Sequence, residues 1–462
     1  MSKPAAMSGF PEFLPDQRYV ELEVLARLAR TFELHGFANV ETRAVEPLDQ
    51  LLRKGETSKE VYVLRRLQAD PGSDRGSDSG TGLHFDLTVP FARYVLENAG
   101  KLEFPFRRYQ IQKAWRGERP QEGRFREFTQ ADIDIVGRDT LGFHHDIEVA
   151  RVMAEALASL ADLVPAMRLQ VNNRKLIQGF YQGIGAADID AVMRVIDKID
   201  KVPAEVVAGM LVEEAGLTAE QAQQCLALAE IRATDTSFVE RVRALGVSND
   251  LLEEGLSELA AVVDGCASVT SEQFTVEADL RIARGLDYYT GTVFETVMTG
   301  FERLGSICSG GRYDSLASDG KTTYPGVGIS FGVSRTLVPL VARGRVGASR
   351  SVPSAVLVAL TTEEARAEAD AVAQQLRARG VPTEVAPAPQ KFGKQIRFAE
   401  RRGIPYVWFA GSGETAGSHQ VKDIRSGEQQ DADPASWTPP AADLRPQVSG
   451  TPATTESTEE HT

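Results

Sequence analysis

The sequence predicts an α+β fold class, with an antiparallel sheet in the first part, a helical insertion and a C-terminal α/β domain. Three observations predict it. Residues 107–136 alternate polar and apolar side chains in period two around a Gly- and Pro-containing turn, as a long β-hairpin does. Residues 171–265 are rich in Ala, Leu and Glu at helical spacing, and strand and helix patterns alternate from residue 346 onward. A length of 462 residues also exceeds that of one ordinary domain, about 100–200 residues.

The first element is an amphipathic helix that ends at His35 and Gly36. Its apolar face consists of Val20, Val24, Leu25, Leu28 and Phe32. Residues 69–82, which read "ADPGSDRGSDSGTG", contain too much Gly, Ser and Asp to pack, so they predict a flexible loop between two strand-like segments.

The hairpin follows, with "RRYQIQKAWR" and "REFTQADIDIV" as its strands. In the second strand, one face carries Thr129, Ala131, Ile133 and Ile135, and the opposite face carries Phe128, Gln130, Asp132 and Asp134. The apolar face is expected to pack on a core. The polar face has two interpretations at this point: an ordinary solvated surface, or the lining of a pocket.

The later elements give the domain bounds. We predict a first part at 1–170, the helical insertion at 171–265, a second strand-rich part at 266–345, the α/β domain at 346–437 and a disordered tail at 438–462. In the α/β domain we expect strands at "AVLVAL", "IPYVWFAG" and "HQVKDI", and a helix over 361–378 that Gly380 closes. The tail is predicted to be disordered because it has no aromatic residue after Trp437.

Composition limits the classes of function. A net charge of −14 argues against nonspecific adhesion to nucleic acid but allows a local basic surface. The sequence has neither a run of about 18 apolar residues nor an apolar N-terminal core, so we expect a cytoplasmic protein without membrane contact. The 3 cysteines lack metal-ligand spacing, and no tightly bound metal is expected.

Two arginine-bearing motifs predict a site for an anionic ligand. "WRGERPQEGRFREF" crowds Arg116, Arg119, Arg124 and Arg126 into the hairpin loop, where guanidinium groups suit phosphate oxygens, although such turns are more often merely solvated. "GVGISFGVSRT" places Arg335 after glycines that permit close backbone approach or simply ease packing. The sequence has no P-loop or dinucleotide fingerprint in a strand–turn–helix context.

Together these motifs resemble those of the histidyl-tRNA synthetases, a family of class II aminoacyl-tRNA synthetases. "WRGERPQEGRFREFTQADIDIVG" is similar to motif 2 of that class, and "GVGISFGVSRT" is similar to motif 3. "RGLDYYTGTVFE" resembles the signature of the histidine enzyme, and "LHFDLTVPFARY" the segment under its amino-acid group. The C-terminal "KFGKQIRFAERRGIPYVWFAG" resembles the anticodon-binding domain. The resemblance covers roughly residues 10–430 and implies a class II catalytic domain; Arg43 stands where motif 1 has a proline.

The resemblance implies a role for each matching residue. Arg284 and Arg116 would be the catalytic residues, with Arg116 on the α-phosphate and the histidine carboxylate. The remaining histidine-binding residues would be Asp86, Thr88 and Gln130 for the α-amino group, Asp134 and Tyr289 for the imidazole, and Tyr288 in the pocket wall. The remaining ATP-binding residues would be Glu118, Arg124, Phe128 and Arg335.

The resemblance also implies partners. ATP with Mg²⁺, L-histidine and histidine tRNA would be the substrates, and the chain would form a homodimer. Candidate tRNA contacts are Arg119, Gln121, Lys391, Lys394, Gln395 and Lys422. The alternatives are a catalytically silent paralogue, the regulatory subunit of ATP phosphoribosyltransferase, or another class II synthetase, or a plain RNA-binding module. The first lacks an anticodon domain, and the second leaves "RGLDYYTG" without an explanation.

Overall fold

The computed structural model describes residues 5–52, 60–66, 80–199, 201–282, 289–411 and 417–450. They belong to two compact units. Most of the first unit is Leu25–Leu340, and the second combines Glu12–Val24 with the residues from Val341 onward. None of the helices in these described ranges is long and apolar enough to cross a membrane.

Helices and strands alternate along both units. The helices are α1 (Pro15–Leu34), α2 (Leu48–Leu51), α3 (Thr88–Asn98), α4 (His144–Ala158), α5 (Arg174–Gly183), α6 (Ile189–Ile196), α7 (Ala204–Glu213), α8 (Ala219–Ala229), α9 (Phe238–Arg243), α10 (Asp250–Gly265), α11 (Val333–Ala342), α12 (Arg366–Ala378) and α13 (Phe392–Arg402). The strands are β1 (Ala38–Asn39), β2 (Val45–Pro47), β3 (Val63–Leu64), β4 (Thr81–Leu83), β5 (Phe106–Trp115), β6 (Glu127–Val136), β7 (Met167–Asn173), β8 (Arg232–Ala233), β9 (Phe274–Asp279), β10 (Thr292–Met298), β11 (Cys308–Ser318), β12 (Thr323–Gly332), β13 (Val346–Ala348), β14 (Val356–Ala359), β15 (Thr383–Val385), β16 (Tyr406–Ala410), β17 (His419–Asp423), β18 (Gln429–Asp431) and β19 (Val448–Gly450).

A nine-stranded sheet forms the centre of the first unit, in the order β1-β5-β6-β12-β11-β10-β7-β9-β8. The predicted antiparallel pairing is confirmed through its middle, whereas β1 pairs with β5, and β7 with β9, in parallel. The sheet is therefore mixed, and its antiparallel centre holds the strands that carry the quoted motifs.

The predicted hairpin is present as β5 and β6, which pair antiparallel from Phe106 opposite Val136 to Trp115 opposite Glu127. Ala131, Ile133 and Ile135 are buried, as the apolar face predicts. The opposite face is not an ordinary solvated surface, because Asp132 and Asp134 are only 2% and 4% exposed. Period two identifies the two faces of a strand but does not show whether a second layer covers the polar one.

The helical insertion contains α5 to α10, but its predicted start is wrong by three residues. Residues 171–173 belong to β7, which is buried between β10 and β9. β8 also lies inside the insertion and extends the sheet edge beside β9.

The predicted loop over residues 69–82 needs a similar correction, since Thr81 and Gly82 are in β4; residues 69–79 lie outside the described residues. Arg43 lies between β1 and β2.

The second unit contains a five-stranded sheet in the order β15-β14-β16-β17-β18, with α12 and α13 following β14 and β15. Trp408 on β16 is fully buried in its core. The prediction of disorder from residue 438 is wrong for 438–450, because residues Ala441–Leu444 form a 3₁₀ helix and β19 pairs with β13. Polar contacts hold this segment: Arg425 Nη1 donates to Asp443 Oδ1 over 2.8 Å, and the Tyr406 hydroxyl donates to Asp443 Oδ2 over 2.8 Å.

Candidate active site

The site is built on three neighbouring strands, β5, β6 and β12, whose side chains meet in cross-strand rows. The pairing registers place Arg108, Asp134 and Gly328 in one row, Gln110, Asp132 and Ser330 in the next, and Gln112, Gln130 and Gly332 in the third. Directly opposed residues of antiparallel strands project from the same face. The polar face of β6 is therefore flanked by polar side chains on β5 and by small residues on β12.

Two glycines allow side chains of the site to lie against backbone. A Cβ at Gly328 would be 2.0 Å from Asp134 Oδ1, and a Cβ at Gly311 would be 2.7 Å from the Tyr289 ring. Both distances are shorter than any van der Waals contact, so a larger residue at either position would displace Asp134 or Tyr289.

Asp134 lies at the centre of a buried cluster. The Tyr313 hydroxyl donates to its Oδ1 over 2.8 Å, and Arg108 Nη2 lies 2.6 Å from its Oδ2. Burial and, after it, the nearby charge of Asp134 raise the pKa of Tyr289, so this phenol stays protonated. The structure thus places Asp134 and Tyr289 in one buried cluster.

A short relay connects Asp132 to Gln130. Gln130 Nε2 donates to Ser330 Oγ over 2.7 Å, and the Ser330 hydroxyl donates to Asp132 Oδ1. Gln130 Oε1 is buried and accepts no hydrogen bond from the residues that the structure describes. Burial raises the pKa of Asp132 to about 7, with Arg108 opposing the rise and Asp134 adding to it.

Asp86 and Thr88 lie at the start of α3. Asp86 is 6% exposed, and its Oδ1 accepts a hydrogen bond from Val89 N over 3.0 Å. The carboxyl of Asp86 contributes to the raised pKa values of Asp132 and Tyr289, which places it in the same electrostatic neighbourhood. Thr88 is the first residue of the helix.

A cavity of about 590 Å³ adjoins this cluster, and all five predicted ATP-binding residues line it. Its lining includes Arg116, Glu118, Arg119, Gln121, Arg124, Phe128, Gln130 and Arg335. The Arg116 guanidinium carbon lies 5.1 Å from the centre of the Phe128 ring, and Arg116 Nε donates to Phe85 O over 2.9 Å. An arginine-rich wall and an aromatic ring are the groups that a phosphorylated nucleoside requires.

Two further contacts fix the wall of this cavity. Arg335, in the first turn of α11, donates from Nε to Leu304 O over 3.0 Å. Glu118 lies between two arginines, with Oε1 3.8 Å from Arg116 Nη1 and Oε2 3.7 Å from Arg124 Nη1. The guanidinium groups of Arg116, Arg119, Arg124 and Arg335 in the lining leave the cavity favourable to negative charge.

Some predicted site residues lie elsewhere. Arg284 and Tyr288 lie outside the described residues. In the second unit, Lys391 and Lys394 are exposed at the start of α13, and Lys422 is half-buried on β17.

Gln395 is not an exposed RNA contact. It is 4% exposed, its Oε1 accepts from Leu360 N over 2.8 Å, and its Nε2 donates to Leu360 O over 2.8 Å. The Gln395 amide instead bonds both the N–H and the carbonyl of Leu360, the residue that follows β14.

Several neighbours were not predicted from the sequence. Arg108, Tyr313 and Ser330 hold the predicted residues Asp134 and Gln130 in place. The hairpin register would have found Arg108, because it lies opposite Asp134. Ser330 lies on β12, and Tyr313 lies on β11, which pairs with β12. Both reach the site only because β12 pairs with β6, and no local sequence pattern reveals that pairing. In the second unit, a pocket of about 320 Å³ is lined by Lys394, Arg397, Phe398 and Arg401, of which only the first was predicted.

A mostly antiparallel sheet that carries an arginine-lined cavity beside a buried polar pocket, with an insertion and a separate α/β unit, is the architecture of a class II aminoacyl-tRNA synthetase. The family model for histidyl-tRNA synthetase matches residues 9–336, and the model for the anticodon-binding domain matches residues 354–436. The chain belongs to the histidyl-tRNA synthetase family.

Known proteins agree along nearly the whole chain. The chain is 58% identical over 455 residues to a histidine–tRNA ligase of Cutibacterium acnes, with 98% of this chain and 100% of the relative covered. It is 60% identical over 457 residues to a histidine–tRNA ligase of Micrococcus luteus, with coverage of 97% and 99%. Among solved structures, histidyl-tRNA synthetase from Nostoc sp. PCC 7120 matches with a TM-score of 0.81 at 33% identity, covering 94% of this chain and 97% of that one.

Proposed function

We propose that this chain is a histidine–tRNA ligase, which activates L-histidine with ATP to histidyl-adenylate and then transfers histidine to the 3′ end of histidine tRNA. The observation that carries the proposal is the buried Gln130 Oε1, which accepts no hydrogen bond from any residue in the described part of the chain. It lies where the Asp134 pocket and the arginine-lined cavity meet, since Gln130 belongs to the same face as Asp134 and lines the cavity. An acceptor there fits the α-ammonium group of an amino acid.

Amino-acid selection would rest on the buried cluster. Asp134 would accept an imidazole N–H, and the protonated Tyr289 would donate to the other ring nitrogen. Asp86, Thr88 and Gln130 would hold the α-amino group. A site built to pair both polar ring atoms rejects isosteric apolar side chains, because those would leave buried polar groups unpaired.

Activation would take place in the arginine-lined cavity. A histidine carboxylate oxygen attacks the α-phosphorus of ATP, the bond from that phosphorus to the bridging oxygen breaks, and pyrophosphate leaves. Arg116 would stabilise the charge that develops on the α-phosphate, Arg335 would hold the γ-phosphate, and Arg124 would contact the phosphates. Phe128 would stack on adenine, and Glu118 would accept from its amino group. Such catalysis is positioning and electrostatic stabilisation.

Magnesium is proposed to accompany ATP, bound through the phosphate oxygens, which is the usual mode for this ion. The residues that the structure describes contain no group of three or more His, Cys, Asp or Glu side chains that could hold a metal by themselves. Arg284 would supply a second positive charge opposite Arg116.

Transfer requires the 3′ end of the tRNA to reach the adenylate. A cleft of about 860 Å³ shares Gln121, Arg124, Ser306 and Arg335 with the cavity and extends to Ile196, Asp197, Ile199 and Lys201 of the insertion. We propose that the acceptor end enters here, beside the loop of residues 117–126, and that Arg119 and Gln121 contact it. Lys391, Lys394 and Lys422 remain proposed contacts for the anticodon side, joined by Arg397 and Arg401.

We also propose a cytoplasmic homodimer. The small sheet of β2, β4 and β3 exposes Val45 (39%), Val63 (54%) and Leu64 (38%), and Leu52 at the end of α2 is 44% exposed. Apolar side chains grouped on an exposed edge are typical of an interface. Sedimentation velocity over a range of protein concentrations would distinguish a dimer from a monomer.

The experiment that tests the proposed activity is amino-acid-dependent exchange between ATP and pyrophosphate. Purified protein with Mg²⁺ is expected to exchange label with L-histidine and not with the other amino acids, followed by charging of histidine tRNA. Histidine binding without exchange would instead assign the chain to the silent regulatory paralogues. Exchange with a different amino acid would contradict the assignment of the Asp134 pocket.

A further inference from the structure

Arg108 is a fully buried cation that no sequence motif includes. Its side chain is 0% exposed, and its guanidinium carbon lies 4.2 Å from the centre of the Phe91 ring. Nη2 lies 2.6 Å from Asp134 Oδ2 and 4.0 Å from Asp132 Oδ2. Among the described ranges, neither Nε nor Nη2 finds an aligned hydrogen-bond acceptor, although Nη1 donates to Gln110 Oε1 over 3.3 Å. Arg108 therefore acts on Asp134 mainly as a positive charge.

The groups around this pair are mostly acidic. Asp132 lies on the same strand as Asp134, Asp86 lies two residues before α3, and Glu295 lies on β10; all three act electrostatically within the same cluster. Tyr313 on β11, Tyr289 before β10 and Cys308 on β11 are uncharged neighbours, since burial raises the pKa values of Tyr289 and Cys308. His84 precedes Asp86 by two residues, and burial lowers its pKa. Without Arg108, the Asp134 carboxylate and its acidic neighbours would strongly attract a positively charged ligand.

We propose that Arg108 is a positioning residue that makes the histidine pocket select the uncharged imidazole. The positive charge of Arg108 offsets the negative charge of the Asp134 carboxylate. The carboxylate can still accept a hydrogen bond from an imidazole N–H, but its attraction for an imidazolium is weak. A ring cation bound to Asp134 would also lie close to the Arg108 charge and be repelled in a site of low dielectric. The same repulsion would exclude lysine and arginine. This inference rests on the proposed function.

Proton release measures the selection directly. The free imidazole has a pKa of about 6.5, so roughly three-quarters of histidine is protonated on the ring at pH 6. Binding only the uncharged form must then release about 0.8 proton per site. Binding the imidazolium would release none from the ring.

The experiment is isothermal titration calorimetry of L-histidine into the full-length protein at pH 6, in two buffers of different ionisation enthalpy. A parallel titration with 1,2,4-triazole-3-alanine, whose ring stays uncharged, subtracts protons that move on other groups such as Asp132. The difference is expected to be about 0.8 proton for the wild-type protein. In Arg108→Met it is expected to fall below about 0.2, because Asp134 then attracts the imidazolium.

Three variants separate this role from a structural one. Arg107→Met removes a neighbouring charge on β5 that pairs with Glu148 instead, with Nε 3.0 Å from Oε1, and should release protons as the wild type does. Arg108→Lys keeps the charge and should restore the release. If Arg108→Met does not fold, Arg108→Gln, which removes the charge but keeps a hydrogen-bond donor toward Asp134, is expected to release less than about 0.2 proton in the same way.

The outcomes separate the two proposals. Wild-type binding of histidine without a difference from the triazole analogue overturns the selection proposal alone. The same holds if Arg108→Met releases protons like the wild type. No histidine binding and no pyrophosphate exchange by the wild type would overturn the proposed function as well.

Discussion

Replacing Asp132 by Asn should stabilise the protein increasingly as the pH rises. Burial raises the pKa of this carboxyl to about 7, whereas its value in an unfolded chain is about 3.9. A group with a raised pKa in the folded state favours folding below the unfolded value, and that contribution is lost as pH rises through the folded value. Linkage gives a penalty of about 1.5 kcal/mol at pH 5 and about 4 kcal/mol at pH 8. Asn, which carries no charge, avoids it.

Thermal unfolding of both proteins at pH 5 and pH 8 measures the difference. The penalty grows by about 2.6 kcal/mol between these pH values, which at roughly 2 °C per kcal/mol predicts that the Tm advantage of Asp132→Asn grows by about 5 °C. Asp264→Asn, the same change at an exposed position of α10, should show no such growth. A Tm difference that is equal at both pH values, or that shrinks at pH 8, would refute the buried-carboxyl argument.

Two more variants test the packing of the site and the basic pocket. Gly328→Ala would place a Cβ 2.0 Å from Asp134 Oδ1, so KM for histidine should rise by about tenfold or more, while Gly347→Ala, with open space around it, should change nothing. A normal KM in Gly328→Ala would show that Asp134 does not contact histidine. Arg397→Glu should weaken tRNA charging without changing pyrophosphate exchange, whereas Lys101→Glu, the same charge change in the first unit, should leave both unchanged. Equal loss of exchange in Arg397→Glu would contradict an RNA-contact role.

The hairpin could be predicted because its information is local. Alternation of side chains over residues 107–136 determines both strands and the face each residue occupies, and β5 and β6 follow this closely. The same register places Arg108 opposite Asp134. The neighbour on the other side of β6 could not be predicted, because β12 begins at Thr323, far along the chain, and only tertiary packing pairs the two strands.

The burial of the polar face had no local signal either. A row of Gln and Asp in period two is equally compatible with solvent and with a covered pocket. What decides between them is distant: Tyr313 and Ser330 donate to Asp134 and Asp132, and Phe91 covers Arg108. Each partner lies on a different element, so the composition of β6 alone contains no trace of them.

The C-terminal segment shows a different limit. A lack of aromatic residues after Trp437 predicted disorder, since such a segment buries little apolar surface. The structure holds it by polar groups instead: Ser349 N donates to Gln447 O over 2.8 Å and Arg350 Nη2 donates to Asp443 O over 2.9 Å. Hydrogen bonds to backbone carbonyls do not depend on the side chains of the segment that accepts them, so hydrophobic composition could not reveal this order.

The buried carboxyl of Asp132 lowers the stability of the folded protein at high pH, and this points to a role in function. An Asn at this position could accept the same hydrogen bond from Ser330 and would avoid a penalty of about 4 kcal/mol at pH 8. The attraction of Arg108, 4.0 Å away, does not offset this penalty, because the raised pKa of Asp132 already includes it. A negative charge one row from Gln130 does, however, favour a positively charged α-amino group at the buried Gln130 Oε1. Asp132→Asn should accordingly be both more stable and weaker in binding histidine, because the same charge opposes folding and attracts the substrate.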